Sequence, residues 1–163
     1  MTSVRRPRSV SPLTSAAAVA AVLLALAGCT RQDASIAAPN PPAEEAALCT
    51  ALDGALPESV GDTDRSDPEP ASEFTAAWGD AAIVLRCGVP RPAAMDDPAS
   101  DAVEANGVGW MVERLADGSR FTTTYRETYV EVTMGGKFAG DATPLAQLAD
   151  AVEETVPATL ELP

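Results

Sequence analysis

Between Val108 and Met134 the chain alternates, and this alternation constrains the fold more than any other feature. Val108, Trp110 and Val112 are interleaved with Gly109, Met111 and Glu113. Phe121, Thr123 and Tyr125 share one side of a second run, and Val130, Val132 and Met134 share one side of a third, Thr128 to Met134. Successive side chains of a strand point to opposite faces, so each run reads as a strand with one apolar face. Asp117-Gly118 between the first two is a hairpin signal, and Gly135-Gly136 breaks the last run. Three strands joined this closely predict an antiparallel meander whose apolar face needs a cover.

The cover is legible on either side. Asn40-Pro41 reads as an N-cap followed by proline at the first helical position. Leu48, Cys49, Leu52 and Leu56 then recur at helical spacing until Pro57 stops the run. Thr143-Pro144 opens a second helix with a stripe of Leu145, Leu148, Ala149, Val152 and Val156, ended by Pro157. Ala82 to Cys87, centred on Ile83, Val84 and Leu85, reads as a short buried strand closed by Pro90 and Pro92. Gly61–Glu73 is acidic and proline-containing and reads as a loop, as does the connection Pro98–Asn106. The expected architecture over residues 43–163 is a single α+β domain. Its antiparallel sheet would hold one strand plus a three-stranded meander, with two helices packed on one face.

The N-terminus obeys a different logic. Arg5, Arg6 and Arg8 precede an unbroken apolar run, Ala16 to Ala27, which leads into Leu26-Ala27-Gly28-Cys29. As a helix that run spans about 18 Å, well short of the roughly 30 Å hydrocarbon core, so the segment is an export signal rather than a membrane span. Pro7 and Arg8 follow Arg5-Arg6 where twin-arginine export favours an apolar residue, which points to the general export route. Leu26-Ala27-Gly28-Cys29 resembles the lipobox of bacterial lipoproteins. The resemblance implies that residues 1–28 are a lipoprotein signal peptide, that the chain is cut before Cys29, and that the Cys29 thiol carries the lipid. Residues 29–42 then form a flexible tether rich in Ala, Pro and polar side chains. Cleavage removes three of the 11 basic residues and none of the 24 acidic ones, moving the net charge from −13 to −16. So acidic a chain is repelled by nucleic acid and by anionic headgroups, so the membrane partner is met through acyl chains, not through a basic patch. Arginine is used almost to the exclusion of lysine, Lys137 being the single lysine, as in proteins of GC-rich genomes.

With Cys29 assigned to lipid, two cysteines remain, Cys49 and Cys87, in an oxidising compartment where disulfides persist. A bond between them would tie the first helix to the end of the first strand. The alternative, Cys87 as a nucleophile, needs an activating base, and the chain has no histidine. Trp78, before Gly79-Asp80, reads as a cap on the core edge with its indole N–H given to a carbonyl.

These same residues carry a second resemblance. Ala77-Trp78-Gly79-Asp80 followed by Val84-Leu85-Arg86-Cys87-Gly88-Val89-Pro90-Arg91-Pro92 resembles a family of actinobacterial exported proteins catalogued as domain of unknown function 3515. Cys49-x-x-Leu52-x-x-x-Leu56-Pro57-x-x-Val60, Asn106-Gly107-Val108-x-Trp110, Arg120-Phe121-Thr122-Thr123 and Tyr129-Val130-Glu131-Val132 extend it over nearly the whole domain. The resemblance implies compartment and fold, and no activity.

The chemistry of the chain is bounded mainly by residue type. Without histidine there is no Ser-His-Asp triad and no imidazole metal ligand. No Gly-rich phosphate loop and no Gly-x-Ser-x-Gly elbow occurs. Asp62, Asp64, Ser66 and Glu73 fall at the first, third, fifth and twelfth positions of a calcium loop, but the sixth is Asp67 rather than glycine and Pro68 and Pro70 stiffen the middle. A solvated acidic loop is the better account. The reading is a membrane-anchored, extracytoplasmic lipoprotein of the cell envelope. It would serve as a non-catalytic binding or accessory module, with no cofactor, for an envelope protein or cell-wall component. The alternative is a small envelope hydrolase working through paired carboxylates. Arg86 and Arg91 are rare positive charges beside the disulfide cysteine. Either Arg86 pairs with Asp80, steadying the Trp-Gly-Asp turn, or Arg86, Arg91 and Trp78 line one patch for an anionic partner.

Overall fold

The computed structural model describes residues 35–66 and 68–160. The segment expected to be a signal, its expected cleavage site and Cys29 lie outside the described residues, as does Asp67. Two helices, α1 (Ala43–Ala55) and α2 (Thr143–Thr155), accompany eight strands. These are β1 (Ser59–Val60), β2 (Thr63–Ser66), β3 (Thr75–Trp78), β4 (Ile83–Val89), β5 (Ala102–Ala105), β6 (Val108–Leu115), β7 (Gly118–Thr123) and β8 (Tyr129–Gly135). All pair antiparallel in one sheet of order β1-β2-β3-β4-β8-β7-β6-β5.

The chain is therefore α+β, and the meander of β6, β7 and β8 is present, but one strand plus a meander is too small a sheet. Four strands lay hidden. β1 and β2 are joined by Gly61-Asp62, whose φ values of 56° and 59° make a tight primed hairpin turn inside the stretch expected to be a loop. β3 is Thr75-Ala76-Ala77-Trp78, so Trp78 ends a strand rather than sitting in a turn. β5 occupies the expected connection 98–106 and forms one edge of the sheet. The chain reaches that edge from β4 by the connection 90–101, which carries a short 3-10 turn at Ala93–Asp96.

Register assigns each strand's faces. Ile83, Leu85 and Cys87 of β4 oppose Met134, Val132 and Val130 of β8, and Ala76 and Trp78 of β3 oppose Leu85 and Ile83. All are buried and belong to one core with Cys49, Leu52 and Leu56 from the α1 end and Leu145, Leu148, Ala149 and Val152 of α2. Both helices thus cover the same sheet face. Each fully buried Leu or Val contributes about 1.5–3 kcal/mol of apolar transfer, so the α2 stripe alone anchors that helix.

Local chemistry sets the helix ends. α1 begins at Ala43, later than Asn40-Pro41 suggested; Pro42 stands at the cap and no side chain caps it. Its acids Glu44 and Glu45 lie in the first turn, where the helix dipole favours them. Glu45 also accepts from Thr128 Oγ1 at 2.7 Å, fastening α1 to the start of β8. Before α2, Asp141 Oδ1 accepts the Thr143 N–H at 2.9 Å, supplying a cap that Ala142 lacks. Ahead of α1 the chain lies on the domain: Ile36 N–H donates to the Glu69 carbonyl at 3.2 Å. Pro41 rests on Gly88, where a Cβ would come within 2.6 Å of its ring.

Candidate functional site

The site residues named from sequence separate into two environments. Cys49 and Cys87 are disulfide-bonded, with Cα atoms 5.5 Å apart, joining α1 to β4. Both are buried in the core, which makes the bond a joint and not a reagent. Trp78 is 0 % exposed and its indole N–H donates to the Pro57 carbonyl at 3.0 Å. A carbonyl partner was expected, but the ring belongs to the core, so Trp78 forms no part of a surface patch. The cause is its register opposite Ile83, on the helix-covered face.

Arg86 lies on the other face. Its strand neighbours Leu85 and Cys87 point to the core, and its guanidinium pairs not with Asp80 but with Glu131 of β8 at 3.1 Å. Register explains the choice, since Arg86 and Glu131 are directly opposed while Asp80 sits in the β3–β4 turn at φ 53°. Glu131 is only 8 % exposed, and its second oxygen lies 3.5 Å from Arg120 of β7, which in turn faces Glu113 of β6 at 3.9 Å. Four side chains from four neighbouring strands form a charge ladder across the face that carries no helix. Two arginines balance two glutamates, so the ladder is electrically neutral.

The calcium reading fails on conformation. Thr63–Ser66 is a strand paired with β1 and β3, so Asp64 and Ser66 cannot wrap an ion as loop ligands do. Among the described residues no cluster of acids with metal-binding geometry occurs.

Arg91 lines a cavity of about 340 Å³ on the helix-free face. Its floor is the sheet itself: Met111 of β6, Thr124 just past β7, and Tyr129 of β8. Register places Met111 opposite Thr122 and Thr122 opposite Glu131, so the cavity adjoins the charge ladder. Its roof is the connection 90–101, contributing Arg91, Met95 and Ser100. This segment is fixed by Ser100 Oγ donating to the Ala94 carbonyl at 2.6 Å and by the Val112 N–H donating to the Asp101 carbonyl at 2.8 Å. Tyr125 closes one side.

Sequence reasoning found Arg91 and missed the tyrosines. Tyr125 was placed on the face of Phe121 and Thr123, but β7 ends at Thr123 and Tyr125 adopts φ 54°, a left-handed conformation that is costly for a bulky residue. That turn leaves the ring 57 % exposed at the cavity mouth. It is held by the Thr159 N–H, which donates to the Tyr125 carbonyl at 2.8 Å, beside a bridge between Arg126 and Ala158. The available signal was compositional: the chain has two tyrosines, four residues apart, and both line this cavity.

The charges around the cavity are already engaged. Arg91 donates to Asp96 at 2.7 Å and to the Met95 carbonyl at 3.2 Å. Its pKa is raised, first by the hydrogen bond to Asp96 and then by the charge of that carboxylate, with a smaller part from Tyr129. Asp101 accepts from Arg114 at 2.9 Å, and Asp97 accepts the Ala99 N–H at 2.9 Å. Beside these charges the lining is aromatic, thioether and hydroxyl surface.

An eight-stranded antiparallel sheet with both helices on one face, and a cavity on the other, defines a small α+β domain. The chain belongs to the family described as "Protein of unknown function (DUF3515)", whose model matches residues 11–160. Comparison with curated proteins and with solved structures finds no significant match.

Proposed function

We propose that this chain is a lipid-anchored lipoprotein of the cell envelope that binds rather than catalyses. The cavity on the helix-free face carries the reading. It has the size and mixed lining of a small-ligand site, an apolar body with a few placed polar groups. Its carboxylates, Asp101 and Asp97, are committed to Arg114 and to a backbone amide, which leaves none poised as a general acid or base. The rival hydrolase reading would need two converging acids in this cleft, and the buried acid beside it, Glu131, is held between two arginines.

The anchor rests on Leu26-Ala27-Gly28-Cys29 and the apolar run before it. Among the described residues no helix is long and apolar enough to cross a membrane. Cys29 lipidation, with palmitate among the chains, would place the domain on the extracytoplasmic face of the cell membrane. The origin suggested by the resemblance to a family of actinobacterial exported proteins, in keeping with the composition of a GC-rich genome, is an actinobacterium. Mass spectrometry of the membrane fraction should find a mature N-terminus at Cys29 bearing a diacylglyceryl group, and Cys29→Ala should release the protein from that fraction. A mature chain starting elsewhere, or a Cys29→Ala variant still sedimenting with membranes, would overturn the anchor. The binding reading is tested separately, by a photo-crosslinking amino acid at position 125 in living cells. Labelling of neither small molecules nor macromolecules there would overturn it.

A further inference from the structure

Resting on the binding reading, the geometry points to a ligand class: we propose that the cavity between the sheet and the connection 90–101 takes a ring of a neutral oligosaccharide, stacked against Tyr125 and Tyr129. Four observations converge.

First, the charges lining the site are engaged: two belong to ion pairs, and Asp97, which has no arginine partner, accepts the Ala99 N–H. Arg91 is neutralised by Asp96 and Asp101 by Arg114, and the adjoining Arg86–Glu131–Arg120–Glu113 ladder is balanced. An anionic ligand would have to displace Asp96 from Arg91. A cationic one would meet carboxylates already paired with arginine or capped by an amide. An anion meets no unpaired cation here, and a cation meets a single carboxylate without an arginine, Asp97, which already accepts an amide.

Second, the remaining surface has two characters on one wall. Tyr125, Tyr129, Met95 and Met111 are apolar, while the hydroxyls of Ser100, Thr124 and Thr159 and of both tyrosines are uncharged donors and acceptors. A pyranose ring has that same duality, C–H bonds on its faces and hydroxyls around its rim. A wholly apolar ligand would leave the hydroxyls unpaired, and a wholly polar one would waste the rings.

Third, the Tyr125 ring is presented at a cost. A left-handed φ at a non-glycine, aromatic residue is strained, and it is held by the Thr159 contact and the adjacent Arg126–Ala158 bridge. Packing does not require it, since the ring is largely in solvent. The strain places the ring where a ligand would lie.

Fourth, Tyr125 also borders a second depression. A groove of about 870 Å³ runs along the edge strand β5, past Val103 and Gly107, to Glu153 and Leu160. Val103 and Leu160 are exposed apolar residues there. A ligand longer than one ring can pass across Tyr125 from the cavity into this groove, which favours a chain of sugars over a lone monosaccharide.

The test uses the full-length lipidated protein in a detergent without sugar headgroups. Cellohexaose, chitohexaose and maltohexaose are the neutral probes; spermine and a polyglutamate peptide are the charged ones. Binding is read by calorimetry and by saturation-transfer NMR. The expected result is binding of at least one neutral hexasaccharide with Kd near or below about 1 mM, tighter than its disaccharide. Tyr125→Gly, which suits the left-handed backbone and so keeps the fold, should weaken it about tenfold with melting unchanged or raised. Tyr125→Phe should retain most of the affinity. If no neutral probe binds while a charged probe does, or if Tyr125→Gly binds as the wild type does, the saccharide proposal is wrong. If in addition the position-125 crosslinker labels a polypeptide in cells, the binding reading survives without it. If neither sugars nor crosslinks are found, both fall.

Discussion

Replacing Cys49 and Cys87 together by alanine should cost this domain about a quarter or more of an ordinary domain's stability. The bond closes a sequence separation of 38 residues. In the chain-entropy account, that closure removes roughly 13 cal/mol/K from the unfolded ensemble, or about 4 kcal/mol at 25 °C. Domains of this size hold about 5–15 kcal/mol in all. The corresponding drop in melting temperature is roughly 10–20 °C. Alanine is the right replacement because both sulfurs are buried, and serine would add two hydroxyls to an apolar site. The assay is urea and thermal unfolding of the oxidised protein followed by near-ultraviolet circular dichroism, with the wild type measured with and without reductant. Reductant should bring the unfolded wild type onto the variant's curve and leave the variant itself unmoved. A melting difference below about 3 °C would refute the reasoning, because the entropy term would then have no counterpart in the protein. So would free thiol at both positions in the protein isolated from its native cells.

Glu131→Gln should destabilise by about 1–3 kcal/mol in urea unfolding, since it leaves Arg86 and Arg120 facing a neutral amide at a site that is largely buried. A change within experimental error would mean that the ladder is solvated and contributes nothing. Asp141 has its pKa lowered from 3.8 by the hydrogen bonds from Thr143. A depressed carboxylate contributes stability that is present above its unfolded pKa and lost as pH falls through the folded one. The start of α2 should therefore hold at pH 5 and loosen only below 3.8, and the Thr143 amide shift should titrate with a midpoint under that value. A midpoint at or above it would overturn the capping role.

The parts of the fold that were legible in sequence are those where burial imposed a period. α2 shows its stripe because five apolar positions face one core, and β6 to β8 alternate because one face is covered and the other is not. β1, β2 and β5 were missed because short strands at or near a sheet edge bury little. Thr63-Asp64-Arg65-Ser66 has no apolar position at all, and in β5 only Ala105 is buried. β3 was missed for the opposite reason. Thr75-Ala76-Ala77-Trp78 is buried on both faces, so no alternation marks it. The candidate site was half visible. Arg91 stood out by charge, whereas Tyr125 was hidden by the assumption that a strand's parity continues past its end. Trp78 was misplaced because its Gly79-Asp80 neighbours signalled a turn that begins one residue later.

The covalent link between α1 and β4 also has a mechanical meaning. A pull on the chain's N-terminal side can straighten Ser35 to Leu48, stripping Pro41 from Gly88 and unwinding the first turn of α1. That segment spans about 50 Å at full extension. The load then arrives at Cys49 and passes through sulfur into Cys87, near the end of β4, a central strand bonded along both sides to β3 and β8. Further extension would need both ladders to slide together, not to open one hydrogen bond at a time. The rest of the domain, including the cavity floor on β6 and β8, stays folded while its leading end is drawn taut.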